Sequence, residues 1–229
     1  MLRKLFATFG MDAMARESFK RRIEAEKAGE EKVVREGPRD ATQVAMSMIP
    51  IIELCRYSPG LVTAMGVSMG LTASAIMSKG TVAQKERWAL DLLTMEKVGA
   101  WAITEPGSGS DAFGSMRATA RRDGDEYLLN GSKTFITNGP FADTIVYICK
   151  LDEGNPFPER KILSFVLDKG MPGLVQSKQL RKMGMLSSPT GELFLEDVRV
   201  GRDRRIGETE EPGGGGLTED KGTFDVVRS

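Results

Sequence analysis

The pattern of apolar and polar residues changes character several times along the chain. Between Met11 and Asp40, 16 of 30 positions are charged, which predicts a solvent-bathed helix ending near Gly37-Pro38, where proline blocks propagation. Between Ala41 and Gly80 only Glu53, Arg56 and Lys79 carry charge, and such a stretch predicts helices buried on most sides. One spans about Ala41 to Tyr57, kinks or divides at Pro50, and stops at Ser58-Pro59-Gly60. A second runs from about Leu61 to Ser78, where Gly66 and Gly70, with Ser68 and Ser74, let another element pack closely. Thr81-Val82-Ala83-Gln84 has the form of a capping box, so a third helix starts at Val82 and runs to about Glu96.

After Gly99 the helical period gives way to alternation. Ala100 to Thr104 is a short apolar run that ends in a Gly- and Ser-rich stretch. Segments 116–122, 126–129, 133–137, 144–150, 161–167, 174–176 and 192–195 read as strands, with Asp123-Gly124 and Asn130-Gly131 as hairpin turns. Helices followed by many short strands indicate the α+β class: an N-terminal all-helical domain, then a small antiparallel β-barrel or sandwich. The predicted boundaries are 1–40 for a charged extension, 41–98 for the helical domain, 99–207 for the β-domain and 208–229 for a tail. The four glycines Gly213 to Gly216 give that tail the composition of a linker.

Composition narrows the chemistry. The chain has 229 residues, with 32 Lys+Arg against 32 Asp+Glu, and so lacks the basic excess of a nucleic-acid binder. It has no histidine, which excludes His-based triads, His metal ligands and His general bases. Cys55 and Cys149 stand far apart in apolar settings; they build no zinc site and read as buried thiols of a reducing compartment. The longest uncharged apolar run, Leu61 to Met77, has 17 residues, short of the ~20 a bilayer requires. The N-terminus shows no signal-peptide pattern.

Two stretches could carry chemistry. In Thr104-Glu105-Pro106-Gly107-Ser108-Gly109-Ser110-Asp111 the glycines let main-chain N–H groups approach an anion and the hydroxyls add donors, so the stretch is a phosphate cradle or a plain surface turn. In Asn130 to Gly139 a regular strand would put Lys133, Phe135 and Thr137 on one face and Thr134 and Ile136 on the other. Phe135 and Thr137 would then hold a flat ring by stacking and a hydrogen bond; the alternative is a half-buried hairpin strand.

Together, Trp101-Ala102-Ile103 with the Thr104–Asp111 stretch, the run from Asp123 to Lys133, and Phe135-Ile136-Thr137-Asn138-Gly139 closely resemble the acyl-CoA dehydrogenase family. The match continues through Leu180-Arg181-Lys182-Met183-Gly184 and Leu193 to Val200, with Gly80-Thr81 and Gln84 to Trp88 upstream. It extends from about Ala41 to Gly207. The resemblance implies a flavoenzyme with an N-terminal helical, a middle β- and a C-terminal helical domain, holding FAD between the last two. It implies α,β-dehydrogenation of an acyl-CoA thioester to the trans-2-enoyl-CoA, with a carboxylate removing the α-proton as the β-hydrogen leaves as hydride. Carried over by position, it places Trp101, Ile103 and Thr104 beside the flavin ring and Gly109 and Ser110 at the FAD pyrophosphate. Phe135, followed by Ile136, lies against the isoalloxazine, and Thr137 at the flavin N5. Ser110 and Ser188 border the CoA arm.

No residue of the chain matches the family's catalytic Glu, which the resemblance puts in the C-terminal helical domain. Glu105 belongs to the flavin loop, and Glu208, Glu210 and Glu211 to a connector. The expectation is therefore a truncated chain, inactive alone and a poor FAD binder, with no metal site and no membrane span. The resemblance further implies an acyl-CoA substrate, an electron-transfer flavoprotein as electron acceptor, a homo-oligomer (dimer or tetramer) at full length, and a bacterial cytoplasmic rather than mitochondrial setting. Three alternatives stand beside it: a non-catalytic partner subunit of a hetero-oligomer, a related flavin-dependent acyl-CoA oxidase, and an α+β binding module whose Gly-Ser loop is only a turn.

Overall fold

The computed structural model describes residues 2–8, 10–29 and 41–210. The predicted Gly213–Gly216 linker, Glu211 and the Gly37-Pro38 helix end lie outside them. Helices α1 (Leu2–Thr8), α2 (Met11–Lys27), α3 (Ala41–Tyr57) and α4 (Pro59–Lys79) come first. Helix α5 occupies residues 82–93. The charged helix thus ends at Lys27, where Gly29 turns the chain with a positive φ. Helix α5 ends at Leu93, three residues before the predicted Glu96.

Its start is the predicted capping box. The Gln84 amide N–H donates to Thr81 Oγ1 at 3.3 Å and the Thr81 N–H donates to Gln84 Oε1 at 3.1 Å. The Gln84 side chain is itself 2% exposed and also serves the far end of the chain. Its Nε2 donates to the Asp203 and Arg205 carbonyls, and its Oε1 accepts from the Gly207 N–H. One side chain therefore caps α5 and ties it to the segment leaving the sheet.

Helix α4 has the length and apolar composition to cross a bilayer, yet one side of it packs on the sheet. It widens to π-helical turns over Gly66–Ala73, where the hydroxyls of Thr72 and Ser74 donate to carbonyls five residues back, Val67 and Met69. The inward small residues are Ser68 and Thr72, both fully buried. Gly66 and Gly70, expected in the contact, face away with nothing within 4 Å of a Cβ position. The glycine that permits the close approach is Gly99 on the partner: a Cβ there would lie 2.8 Å from Thr72 Cβ, and its N–H donates to Ser68 Oγ at 2.8 Å. Helix α3 departs from expectation as well. Val44, Met48, Ile49, Ile51 and Ile52 are exposed rather than buried on most sides.

Strands β1 (Gly99–Ala102), β2 (Thr119–Asp123), β3 (Glu126–Thr137), β4 (Thr144–Asp152), β5 (Ile162–Asp168), β6 (Leu174–Gln176) and β7 (Thr190–Gly201) form one curled sheet in the order β1-β4-β2-β3-β7-β6, with β5 also paired to β4. The α+β class holds, but the sheet is mixed: β1 and β2 both run parallel to β4 and the other pairs are antiparallel. The inner face, with Leu129, Tyr147, Phe165 and Leu193, shares a core with Ile76, Trp88 and Leu92 of the helices.

Asp123-Gly124 makes the predicted turn between β2 and β3. Asn130-Gly131 does not: β3 passes straight through it, and the register with β7 shifts there. Gly131 takes a φ of 139° at a point where a Cβ would meet Ala118 Cα at 2.8 Å. The Asn130 side chain replaces the lost ladder bonds, donating to Asp197 Oδ1 at 2.8 Å and accepting from the Asp197 N–H at 2.9 Å. Asn-Gly signals a positive-φ site, and a bulge satisfies that signal as well as a hairpin does.

Candidate functional site

The C-terminal half of β3 and the chain from Gly99 to Glu105 lie side by side. Asn138 Nδ2 reaches the Gly99 carbonyl at 2.8 Å, Lys133 Nζ the Ile103 carbonyl at 3.0 Å, and the Thr134 N–H the Thr104 carbonyl at 2.9 Å. These bonds bring Trp101, Ile103 and Thr104, all half-buried, next to Phe135 and Thr137.

The expected sharing of one face by Lys133, Phe135 and Thr137 fails, because β3 breaks its alternation. A second register shift falls between Lys133 and Ile136, and Phe135 takes a φ of 56°. Lys133 is fully buried, Phe135 is 69% exposed, Ile136 is 2% exposed and Thr137 is half-buried. Ile136 therefore supports the surface from inside, while Phe135 presents its ring outward. A bulky residue with φ in the left-handed region costs on the order of 1–3 kcal/mol.

The Thr104–Asp111 stretch leaves β1 and folds on itself. Glu105 and Ser108 exchange backbone hydrogen bonds, and Ser108 Oγ donates to the Asp111 carbonyl at 2.9 Å. Gly109 and Ser110 are exposed, and nothing lies within 4 Å of a Cβ position at Gly107 or Gly109. Ser188 is placed differently, 2% exposed beneath Gly60 and ahead of β7. Its carbonyl accepts from Lys182 Nζ and Thr190 Oγ1, and Ser187 beside it bonds Ser58. The loop holding Ser188 still reaches the site, since the Asn138 N–H donates to the Pro189 carbonyl at 2.7 Å.

Sequence reading missed three positioning residues. Asn138, 1% exposed, holds helix α4 and β1 to the end of β3 through the Ala64 and Gly99 carbonyls; its turn-forming type was the available signal. Lys133 and Glu105 form a buried ion pair at 2.8 Å. Glu105 also accepts from the N–H groups of Arg117 and Ala118, at 2.6 and 3.0 Å. Burial pulls the Lys133 pKa down, against the opposing pull of the Glu105 carboxylate. Burial likewise pushes the neighbouring Cys149 thiol up to about 12. Among the described residues no group of acidic residues and cysteines is arranged to hold a metal. The carboxylates weighed above are engaged: Glu105 by Lys133, Glu208 by Thr81, and Glu210 by Arg122, Tyr127 and Arg205.

Residues 100–198 match the acyl-CoA dehydrogenase middle domain. The short-chain specific acyl-CoA dehydrogenase of Megasphaera elsdenii is 36% identical over 169 residues, covering 74% of this chain and 44% of that protein. The butyryl-CoA dehydrogenase structure from the same organism superposes with a TM-score of 0.70 at 35% identity, over 79% of this chain and 46% of that one. A glutaryl-CoA dehydrogenase from Mycobacterium smegmatis in complex with FADH2 gives 0.67 at 29% identity, over 78% and 43%. The chain thus spans less than half the length of these relatives. With its helices-then-curled-sheet architecture and its middle-domain sequence, the chain belongs to the acyl-CoA dehydrogenase family.

Proposed function

We propose that this chain supplies the flavin- and substrate-facing wall of an FAD-dependent enzyme that oxidises an acyl-CoA thioester to the trans-2-enoyl-CoA. The observation that carries the reading is Phe135, a large aromatic held at a φ of 56° with 69% of its surface exposed. A strained backbone that spends energy on exposing an apolar ring points to a flat ligand that covers it. The residues fit FAD in three further respects. Thr104 and Thr137 are half-buried hydroxyl residues on the two segments that meet beside Phe135, Gly107 and Gly109 leave main chain open to a diphosphate, and Ser110 adds an exposed hydroxyl. The FADH2 complex of the Mycobacterium relative supports the same choice.

Bound FAD would supply the hydride acceptor. The chain's own residues would orient it: Phe135 by stacking, Thr137 and Thr104 by hydrogen bonds, and Gly109 and Ser110 at the diphosphate. We assign the proton-abstracting role to none of Glu105, Glu208 and Glu210, each of which is held by a partner. An electron-transfer flavoprotein as acceptor and a homo-oligomeric enzyme are part of the same proposal.

Titrating the purified chain with FAD tests it, read by flavin fluorescence. Weak binding is expected, and Phe135→Ala and Thr137→Ala should each weaken it further by about tenfold or more, the ~1.4 kcal/mol of one good contact, without altering the unfolding midpoint. Equal affinity in parent and variants would sink the assignment.

A further inference from the structure

A buried ion pair closes the mouth of the loop between β1 and β2, while Lys150 Nζ holds the Gly114 carbonyl farther along it at 3.0 Å. Residues 104–116 leave the sheet after Ile103 and return at Arg117 and Ala118. Lys133 Nζ donates to the Ile103 carbonyl at 3.0 Å, where the loop departs, and to Glu105 Oε1 at 2.8 Å. Glu105 in turn accepts from the N–H of Arg117 at 2.6 Å and of Ala118 at 3.0 Å, where the loop comes back. Both sides of the mouth therefore meet at one carboxylate and one ammonium, 5% and 0% exposed. The Tyr147 ring lies 5.2 Å from Lys133 Nζ and closes the floor.

The pair is poorly explained as a source of stability alone. Desolvating two charges offsets most of their attraction, and buried pairs often do no better than apolar residues of the same volume. Its contacts instead fix backbone. Three main-chain groups are satisfied by two side chains, so their relative positions cannot drift without leaving a buried charge unpaired. The loop so held carries the open glycines Gly107 and Gly109 and the exposed Ser110.

We infer that Glu105 and Lys133 are positioning residues that set the shape of the 104–116 loop, and through it the affinity for the diphosphate of a dinucleotide. This rests on the flavin reading above. It adds that the diphosphate contacts depend on the buried pair far more than the contacts of Phe135 and Thr137 with the ring. Phe135 and Thr137 are held separately, by the β3–β7 register and by Asn138.

The test compares the parent chain with Lys133→Met and with the double variant Glu105→Gln/Lys133→Met. The double variant keeps the volume and one acceptor oxygen but no charge, so it avoids the unpaired buried carboxylate that threatens folding of the single variant. Two ligands are titrated: FAD, which has the diphosphate, and riboflavin, which has the ring alone. Hydrogen exchange is followed over 104–117, with α2 as the control. The expected result is exchange at least tenfold faster in the loop and unchanged in α2, FAD binding at least tenfold weaker, and riboflavin binding unchanged. Loss of both ligands together would show a general structural role and overturn the inference, as would unchanged FAD affinity. If the parent binds neither flavin, the flavin reading fails and the diphosphate inference with it; loop exchange in the double variant then still decides whether the pair holds the loop.

Discussion

The side-chain amide of Asn138 donates to the carbonyl of Gly99 at 2.8 Å, joining the end of β3 to the first residue of β1. The same nitrogen donates to Ala64 in helix α4 at 2.9 Å, so three elements meet at one buried group. Asn138 also has a φ of 65°, which its residue type tolerates better than most. Asn138→Ala removes both bonds and puts alanine, which tolerates the left-handed region less well than asparagine, at a φ of 65°. We expect a loss of about 1–3 kcal/mol, at the usual ~0.5–1.5 for each hydrogen bond, measured by urea unfolding with an unchanged m-value.

Phe135 should separate stability from binding. Its ring is largely exposed and its φ is unfavourable, so Phe135→Gly relieves backbone strain and sacrifices little packing. Unfolding free energy is expected to stay level or rise by up to about 1 kcal/mol, while flavin affinity drops. A clear loss of stability would mean that the ring is packed in solution and not presented to a ligand.

The connector beyond β7 should respond to acid. Burial opposes ionisation of Glu210, but hydrogen bonds from Arg122 and Tyr127 and the charges of Arg122 and Arg205 outweigh it and hold the carboxyl at about 2. The ordinary value is 4.5, so the folded pKa is depressed. The stabilisation is then complete above pH 4.5 and fades as pH falls toward 2. Unfolding followed from pH 6 to pH 2.5 should show Glu210→Gln less stable than the parent at the upper end, with the two converging at the lower. A constant gap across that range would refute the linkage.

The two thiols should differ in reactivity. Cys149 is fully buried in β4 with its pKa pushed up to about 12, whereas Cys55 in α3 is half-buried. Because the thiolate is the reacting form, a disulfide reagent at pH 8 should modify Cys55 in the native chain and reach Cys149 only at the rate of unfolding. Modification of Cys149 at the rate of Cys55 would contradict the core described here.

Much of this was legible from local signals. The capping box at Thr81 and Gln84, the Asp123-Gly124 turn and the helix-to-strand change near Gly99 each depend on residues within a few positions of one another. The candidate segments were legible by their wording, and Trp101 to Thr104 and Phe135 to Thr137 are neighbours in the fold.

What the sequence could not give is everything set by partners distant along the chain. Asn130-Gly131 announces a positive φ, but only pairing with β7 makes it a bulge, since the choice depends on Asp197, 67 residues away. Lys133 and Phe135 sit two apart on an apparently regular strand, and only the second bulge sends one inward and the other out. The small-residue face of α4 proved to be Ser68 and Thr72 because Gly99 lies across from them. The sequence by itself determined the helical first part, the strand-rich second part and the family; local propensity and motif wording suffice for those. The tertiary structure decided the parallel pairings of β4, the exposure of Phe135 and the burial of Glu105 with Lys133, because each is an energy shared between segments that only the folded chain brings into contact.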